Sequence, residues 1–197
     1  MRGVVKKTLA AIAGLLAALL LFFPWDTLAS FVFAAGARVA AENGIYATAA
    51  SSETSGIFSK SFTYGGLKAD FPVFRVTTRE LTVTPNIISS VFSATKSCSI
   101  STGKGSIIPV TRQAMEWNSG AADISVTAES IIIQNIAFTG KTSISGFVEI
   151  SRATSKMTRA KVLLKVPQEL DRMLNMVGMT GMLPLTRIKD GEWRIER

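Results

Sequence analysis

The chain has no histidine and only one cysteine among its 197 residues. Without histidine it lacks the side chain that most often serves proteins as a general base and as a metal ligand. Because Cys98 has no second cysteine to pair with, an exported domain of this sequence would fold without an internal disulfide. We therefore expect no catalytic site, no metal site and no cofactor.

Charge is also scarce, since only 18% of the residues are charged. Lysine and arginine number 22 against 14 aspartates and glutamates, which gives a formal net charge of +8. The positive residues are scattered and no aromatic residues are interleaved with them in a basic stripe, which argues against nucleic acid as a partner. Attraction to an anionic membrane surface is the more natural consequence of this charge.

One segment near the N-terminus has no charge at all. Leu9–Phe23 is rich in leucine, alanine and isoleucine, and its run of about 15 apolar residues falls short of the roughly 20 that span a bilayer as a helix. Val4 and Val5 extend the run, Lys6–Lys7 can reach the near interface, and Trp25 supplies an aromatic residue at the far one. The positive residues precede the segment, so the N-terminus is expected in the cytoplasm.

A cleaved signal peptide is the alternative for this segment, because a basic start followed by an apolar stretch fits one. However, the bulky residues Phe22–Trp25 occupy the place where a cleavage site needs small residues. The first small-x-small site, Ala35–Ala37, comes about a dozen residues too late. We interpret residues 1–25 as a cytoplasmic tip and an uncleaved signal anchor, with the rest of the chain outside the cytoplasm.

Two helices are predicted in the remainder. Asp26 would cap a helix that runs to about Glu42 and ends at Asn43-Gly44, which gives a juxtamembrane amphipathic helix over residues 26–43. A second helix is predicted over residues 167–178, with a proline at its first turn.

From Ile45 onward the apolar pattern has a period of two, which is typical of antiparallel strands with one apolar and one solvated face. The alternation is clearest in Asp123–Glu129 and Thr142–Ser151. Turns are predicted at Tyr64-Gly65-Gly66, Pro85-Asn86, Gly103-Lys104-Gly105, Asn118-Ser119-Gly120 and Gly140-Lys141, and a hairpin turn at Asp190-Gly191. The predicted strands are Ile45–Ala49, Ile57–Thr63, Phe71–Val76, Glu80–Val83, Val91–Ile100, Ile107–Thr111, Asp123–Ile132, Asn135–Phe138, Thr142–Ser151, Met157–Val166, Leu185–Lys189 and Glu192–Ile195.

This pattern predicts a mainly β fold: an N-terminal transmembrane helix, then a curved or rolled antiparallel sheet over residues 44–197 with one or two short helices. If the apolar face of the sheet were incompletely filled, it would form a groove suited to acyl chains. The residues expected to line that groove are Ile124, Val126, Ile144, Val148, Ile150, Val162 and Leu164. The same residues would serve equally well as an ordinary core.

A basic run without any acidic residue follows the groove residues in the sequence: Arg152, Lys156, Arg159, Lys161 and Lys165. One interpretation is a contact with anionic lipid headgroups or with an acidic partner. The other is a solvated strand face.

Two Ser-x-x-Lys sequences, at Ser93–Lys96 and Ser101–Lys104, match the nucleophile spacing of penicillin-recognising enzymes. That spacing needs a helix to bring lysine to serine, and both sequences fall in predicted strands or loops. The companion elements of those enzymes are also missing. We interpret both matches as accidental and the chain as non-enzymatic.

Five segments, in their order along the chain, carry a family resemblance: Phe23–Leu28, Arg79–Pro85, Ile136–Gly140, Ile144–Val148 and Asp190–Ile195. Together they resemble the type II secretion system protein N (GspN) family and, more distantly, the AsmA-like envelope proteins. The resemblance implies a bacterial inner-membrane protein with a single membrane span and a long, curved antiparallel sheet in the periplasm. It implies an accessory, non-catalytic role in envelope protein secretion, with other secretion proteins as partners. The AsmA-like proteins imply an alternative, which is binding or transfer of phospholipid between the inner and outer membranes.

Overall fold

The computed structural model describes residues 14, 23–42, 44–56, 59–72, 74–87, 93–109, 114–154, 156–179 and 185–197. In the order of the chain, its elements are α1 (Trp25–Glu42), β1 (Tyr46–Thr48), β2 (Ser51–Ser55), β3 (Ser61–Asp70), β4 (Phe74–Pro85), β5 (Lys96–Thr102), β6 (Gly105–Pro109), β7 (Met115–Trp117), β8 (Ser119–Val126), β9 (Ser130–Thr139), β10 (Ser143–Ser151), β11 (Met157–Lys165), α2 (Gln168–Met179), β12 (Leu185–Lys189) and β13 (Glu192–Glu196). Apart from Gly14 and Phe23–Trp25, the predicted membrane anchor lies outside the described residues. Among those that are described, no helix has the length and apolar character needed to cross a membrane.

Within the described residues all thirteen strands belong to one antiparallel sheet, in the order β1-β3-β4-β5-β8-β9-β10-β11-β13-β12. The short strands β1 and β2 pair with successive parts of β3, and β5 and β6 pair with successive parts of β4. The pairs β1–β2, β5–β6 and β7–β8 each form one interrupted strand. With each pair counted as one strand, neighbours in the sheet are neighbours in sequence until β11, after which β13 lies between β11 and β12. None of the described pairings joins β12 to the first strands, so the sheet is open among the described residues.

Three of the predicted turns are wrong, because the chain does not reverse direction at these glycines. Tyr64-Gly65-Gly66 lies inside β3, while Gly103-Lys104 and Asn118 only interrupt long strands that continue in the same direction. A Cβ atom on Gly105 would lie 2.4 Å from the ring of Trp117. At this position glycine is needed so that the indole can pack directly on the neighbouring strand.

The predicted strands are found with some changes of boundary, except that parts of Ile57–Thr63, Val91–Ile100 and Ile107–Thr111 (residues 57–58, 91–92 and 110–111) lie outside the described residues. Phe74–Val76, the last part of the predicted strand Phe71–Val76, and the predicted strand Glu80–Val83 belong to a single strand, β4. The predicted strand Asp123–Ile132 spans β8, a turn and the start of β9. In that turn Thr127 Oγ1 accepts hydrogen bonds from the backbone N–H groups of Glu129 and Ser130, which is why an alternating sequence bends here.

The pairing of β9 with β10 is irregular near Asn135 and Gly146. Asn135 has a φ of 53°, a left-handed conformation that asparagine tolerates, and the register shifts between Gly146 and Val148. The side chain of Asn135 donates to Asp123 Oδ2 on β8 at 2.8 Å. Such irregularities bend strands and increase the twist of a sheet.

Helix α1 packs against the strands at the first edge of the sheet. Tyr64 on β3 donates its hydroxyl to the carbonyl of Ala29 at 3.2 Å, and its ring lies 5.0 Å from that of Phe33. The helix follows the prediction closely, although it begins at Trp25 and so places Asp26 in its first turn instead of at the cap. It ends at Glu42, and Gly44 follows with a φ of 75°.

Helix α2 packs at the other end of the sheet, beside the C-terminal hairpin, and leaves Thr186–Lys189 of β12 exposed. Val166, Leu170 and Trp193 are buried together there, and four partly buried apolar residues pack around them: Met115, Leu164, Leu174 and Leu185. The predicted helix over residues 167–178 and the predicted hairpin at Asp190-Gly191 are both confirmed.

Candidate functional site

The residues predicted to line an apolar groove lie on one face of the sheet. Directly opposed residues of antiparallel strands point to the same side. Across β10 and β11, Ile144 opposes Leu164 and Gly146 opposes Val162. The alternation along each strand then places Val148 on this side as well.

The same face continues across β9 to β8. Ile133 of β9 opposes Ile124 on one side and Val148 on the other. One step further along, Ile131 opposes Val126 and Ile150 in the same manner. We call this set the apolar strip: Ile124, Val126, Ile131, Ile133, Ile144, Val148, Ile150, Val162 and Leu164.

The apolar strip is only partly covered. Val162 is 7% exposed, whereas the other members of the strip are half-buried. The helices pack mainly against β1, β2 and β12, which are strands at the two ends of the sheet. At one end of the strip, Leu164 opposes Trp193 and so joins the cluster beneath α2. The strip is thus part of a core at that end and a half-buried, partly accessible apolar surface along β8 to β10.

The residues of the basic run that belong to β11 lie on the other face. Arg159, Lys161 and Lys165 alternate along the strand with the buried Ala160 and Val162. Their side chains therefore point away from the apolar strip.

Ion pairs and hydrogen bonds engage much of the basic run. Lys165 Nζ lies 3.1 Å from Glu192, and this lysine, helped by Lys189, holds the pKa of the Glu192 carboxyl below its usual range. Arg159 lies 3.8 Å from Glu149. Arg152 donates to the carbonyl of Thr127 at 2.8 Å, and Lys156 is exposed at the turn before β11. These contacts fit a solvated strand face, and a contact of the basic run with anionic lipid headgroups or an acidic partner stays a prediction.

A further group of polar residues could not be found from the sequence. Lys68, Thr77, Ser106 and Glu116 are directly opposed across β3, β4, β6 and β7, so they share one face. They line a depression of about 330 Å³ together with Gly66, Leu67, Thr78, Arg79, Lys104 and Gly105. Only the pairing of four strands brings these positions together, and no local motif marks them.

The depression has an excess of positive charge. Its lysines and arginine are exposed, and its one carboxylate, Glu116, forms an ion pair with Lys141 at 2.9 Å. Lys141 is also the main reason that the pKa of Glu116 lies below its usual range. Chemically the depression could receive a small anionic group.

The two Ser-x-x-Lys sequences lie in extended or irregular backbone. Lys96 Nζ donates to the backbone carbonyl of Ser93 at 3.2 Å, and the Oγ of that serine accepts from the N–H of Thr95. Ser101 lies within β5, where it opposes Thr82 and Ala121. Neither sequence forms the helical turn that the catalytic spacing requires.

An open antiparallel sheet with a partly covered apolar face and two flanking helices defines the structural class of the protein. The family model described as "Type II secretion system protein GspN-like, Synergistales" matches residues 2–197. The chain belongs to this GspN-like family, and its role is related to type II secretion. This confirms the resemblance to GspN, while the more distant one to AsmA-like proteins stays a prediction. No curated protein and no solved structure matches the chain.

Proposed function

We propose that the protein is a non-catalytic, inner-membrane-anchored component of a type II secretion-like apparatus. In this proposal residues 1–25 provide a single membrane anchor with a cytoplasmic N-terminus, and the sheet lies in the periplasm. The sheet binds other secretion components through its exposed edge. Membership of the GspN-like family over residues 2–197 is the observation that carries the proposal.

The open sheet supports an interaction through β12. This strand is the last in the sheet order and has one described neighbour, β13. An exposed edge strand can pair with a strand of another protein. The opposite edge is less accessible because α1 packs against β1 and β2, with Ser30 Oγ and Ser52 Oγ 2.7 Å apart.

Co-purification of the full chain from membranes in a mild detergent tests this proposal. We expect secretion components to be recovered with the wild-type protein and to be lost with Ile188→Lys, which adds a charge to the β12 edge, where Ile188 is 45% exposed. Ala137→Lys is the matched control, because Ala137 is exposed on the central strand β9. Recovery of the wild-type chain without any secretion component would count heavily against the proposal.

The apolar strip favours a second candidate function, which is binding or transfer of phospholipid between the two membranes. Half-buried isoleucines and valines on adjacent strands form a contiguous apolar surface of the kind that usually marks a binding site. Native mass spectrometry of the full chain, with lipid extraction alongside, tests this function. Stoichiometric phospholipid that is lost in Val148→Lys but retained in Ser145→Lys, on the other face of β10, would support it. A chain without lipid would exclude it.

A further inference from the structure

Helix α1 has apolar side chains on two sides, and only one side meets the sheet. The inner side carries Ala29, which is fully buried, and Phe33, which packs on Tyr64. On the outer side Phe31 is 69%, Val32 51% and Val39 59% exposed.

These exposed residues form one patch. With 3.6 residues per turn, residues four apart lie almost in line along a helix. Phe31, Ala35 and Val39 therefore follow one another along the helix, and Val32 lies beside them. We call these four residues the outer stripe. All four are exposed.

The composition of α1 matches that of a helix in an apolar environment. Of its 18 residues only Asp26, Arg38 and Glu42 are charged. A helix that is apolar on both sides is normally buried or in contact with a membrane. Arg38 lies beside the outer stripe, where a long cationic side chain can keep its stem in apolar surroundings and reach a lipid phosphate.

The chain that precedes α1 indicates what covers the outer stripe. The uncharged run Leu9–Phe23 ends two residues before the helix begins, with no polar linker between them. Phe23 and Trp25 lie at this junction with their rings 4.9 Å apart, and aromatic residues are enriched at membrane interfaces. A helix that starts so close to a membrane span starts at the bilayer surface.

We propose that α1 lies along the membrane surface, with the outer stripe immersed in the lipid interface and its inner side holding the sheet. This proposal rests on the membrane anchor of the proposed function. It places the β1 and β2 edge next to the bilayer through the Tyr64–Ala29 hydrogen bond and the Phe33 contact. The β12 edge, at the other end of the strand order, then remains available to protein partners.

Spin-label accessibility in the full chain tests the proposal. In a Cys98→Ser background, single nitroxide labels are attached at Leu16→Cys in the apolar run, Ala35→Cys in the outer stripe and Ala137→Cys on β9. The proteins are reconstituted in vesicles of phosphatidylethanolamine and phosphatidylglycerol. Oxygen, which concentrates in lipid, and a water-soluble nickel chelate serve as collision partners. Unchanged thermal unfolding of the labelled proteins shows that the fold is retained.

We expect the labels at positions 16 and 35 to collide mainly with oxygen and the label at position 137 to collide mainly with the nickel chelate. If position 16 is in lipid but position 35 is in water, the proposal for α1 is overturned while the anchor stands. If positions 16 and 35 are both in water, the anchor and the proposal fail together. If only position 35 is in lipid, the result would support immersion of the outer stripe and would exclude the membrane anchor.

Discussion

The indole Nε1 of Trp193 donates a hydrogen bond to Oδ1 of Asp171 at 2.7 Å, which joins β13 to α2. Both residues are buried, with exposures of 2% and 5%. Arg187 on β12 forms an ion pair with the same carboxylate, and its guanidinium lies 5.9 Å from the centre of the Trp193 ring. The three residues thus connect the C-terminal hairpin to the helix and hold β13 in place beside β11.

Trp193→Phe should destabilise the protein measurably. The change removes the donor to Asp171 and part of a buried ring, and we expect a loss of about 1–3 kcal/mol in the free energy of unfolding. Chemical denaturation of the full chain in detergent measures this loss. Tyr46→Phe is the control, because Tyr46 is 65% exposed and should give almost no change. Equal stabilities of the two variants would contradict a structural role for this hydrogen bond.

Asp171→Asn should alter how stability depends on pH. Hydrogen bonds from Arg187, Trp193 and the backbone of Gly191 hold the pKa of the Asp171 carboxyl below its usual range. A lowered folded-state pKa stabilises the protein above the ordinary aspartate pKa of about 4, and the stabilisation disappears as pH falls through the folded-state value. The wild type should therefore exceed the variant in stability at neutral pH, and the difference should shrink in acid.

Thermal unfolding of both proteins between neutral and acidic pH measures this difference. Glu129→Gln, at an exposed carboxylate, is the control and should follow the wild type throughout. A gap between the wild type and Asp171→Asn that stays constant with pH would show that the charge of Asp171 is not responsible.

Gly146→Ala should disrupt the centre of the sheet. Gly146 has a φ of 143°, and a Cβ atom there would lie 2.0 Å from the carbonyl oxygen of Lys161. The backbone of β10 or β11 must move to accept it, at a cost of about 1–3 kcal/mol or more. Gly103→Ala is the matched control, since the nearest atom to its added Cβ is 3.7 Å away. Similar midpoints of unfolding for the two variants would refute this explanation.

Tyr64→Phe should loosen α1 from the sheet. The variant loses the hydrogen bond to the carbonyl of Ala29 but keeps the ring that packs against Phe33, so a loss of about 0.5–1.5 kcal/mol is expected. Hydrogen exchange of β2 and β3 should increase in the variant, while exchange in α2 should remain unchanged. An equal increase in hydrogen exchange across the whole chain would show that the Tyr64 contact does not act locally.

Local sequence signals predicted the helices and the C-terminal hairpin because their causes are local. Asp190-Gly191 forms the hairpin turn, with Gly191 at a φ of 72°. The alternation in Thr142–Ser151 corresponds to β10. The position of β13 between β11 and β12 was not predictable, because it depends on distant contacts such as that between Trp193 and Leu164.

Strand β2 was missed for a related reason. Ser51–Ser55 has no apolar alternation, and it becomes a strand because β3 offers hydrogen-bonding partners along its length. The seven groove residues were predicted to share one face, and the strand register places them there. Ile131 and Ile133 are not among them, because the predicted strand Asp123–Ile132 runs through the turn between β8 and β9, and that turn changes which residues face the strip. The cationic depression around Lys68 and Lys104 required the register of four strands.

The most direct test of the proposed role is photo-crosslinking in intact cells, with a photoreactive amino acid at Ile188 on the β12 edge. The same amino acid at Ala137, in the middle of the sheet, is the reference. If the protein acts as an anchored scaffold in secretion, the label at position 188 should crosslink to a component of the type II secretion apparatus, and the label at position 137 should not. Identical crosslinks at both positions, or none to any secretion component, would contradict the account.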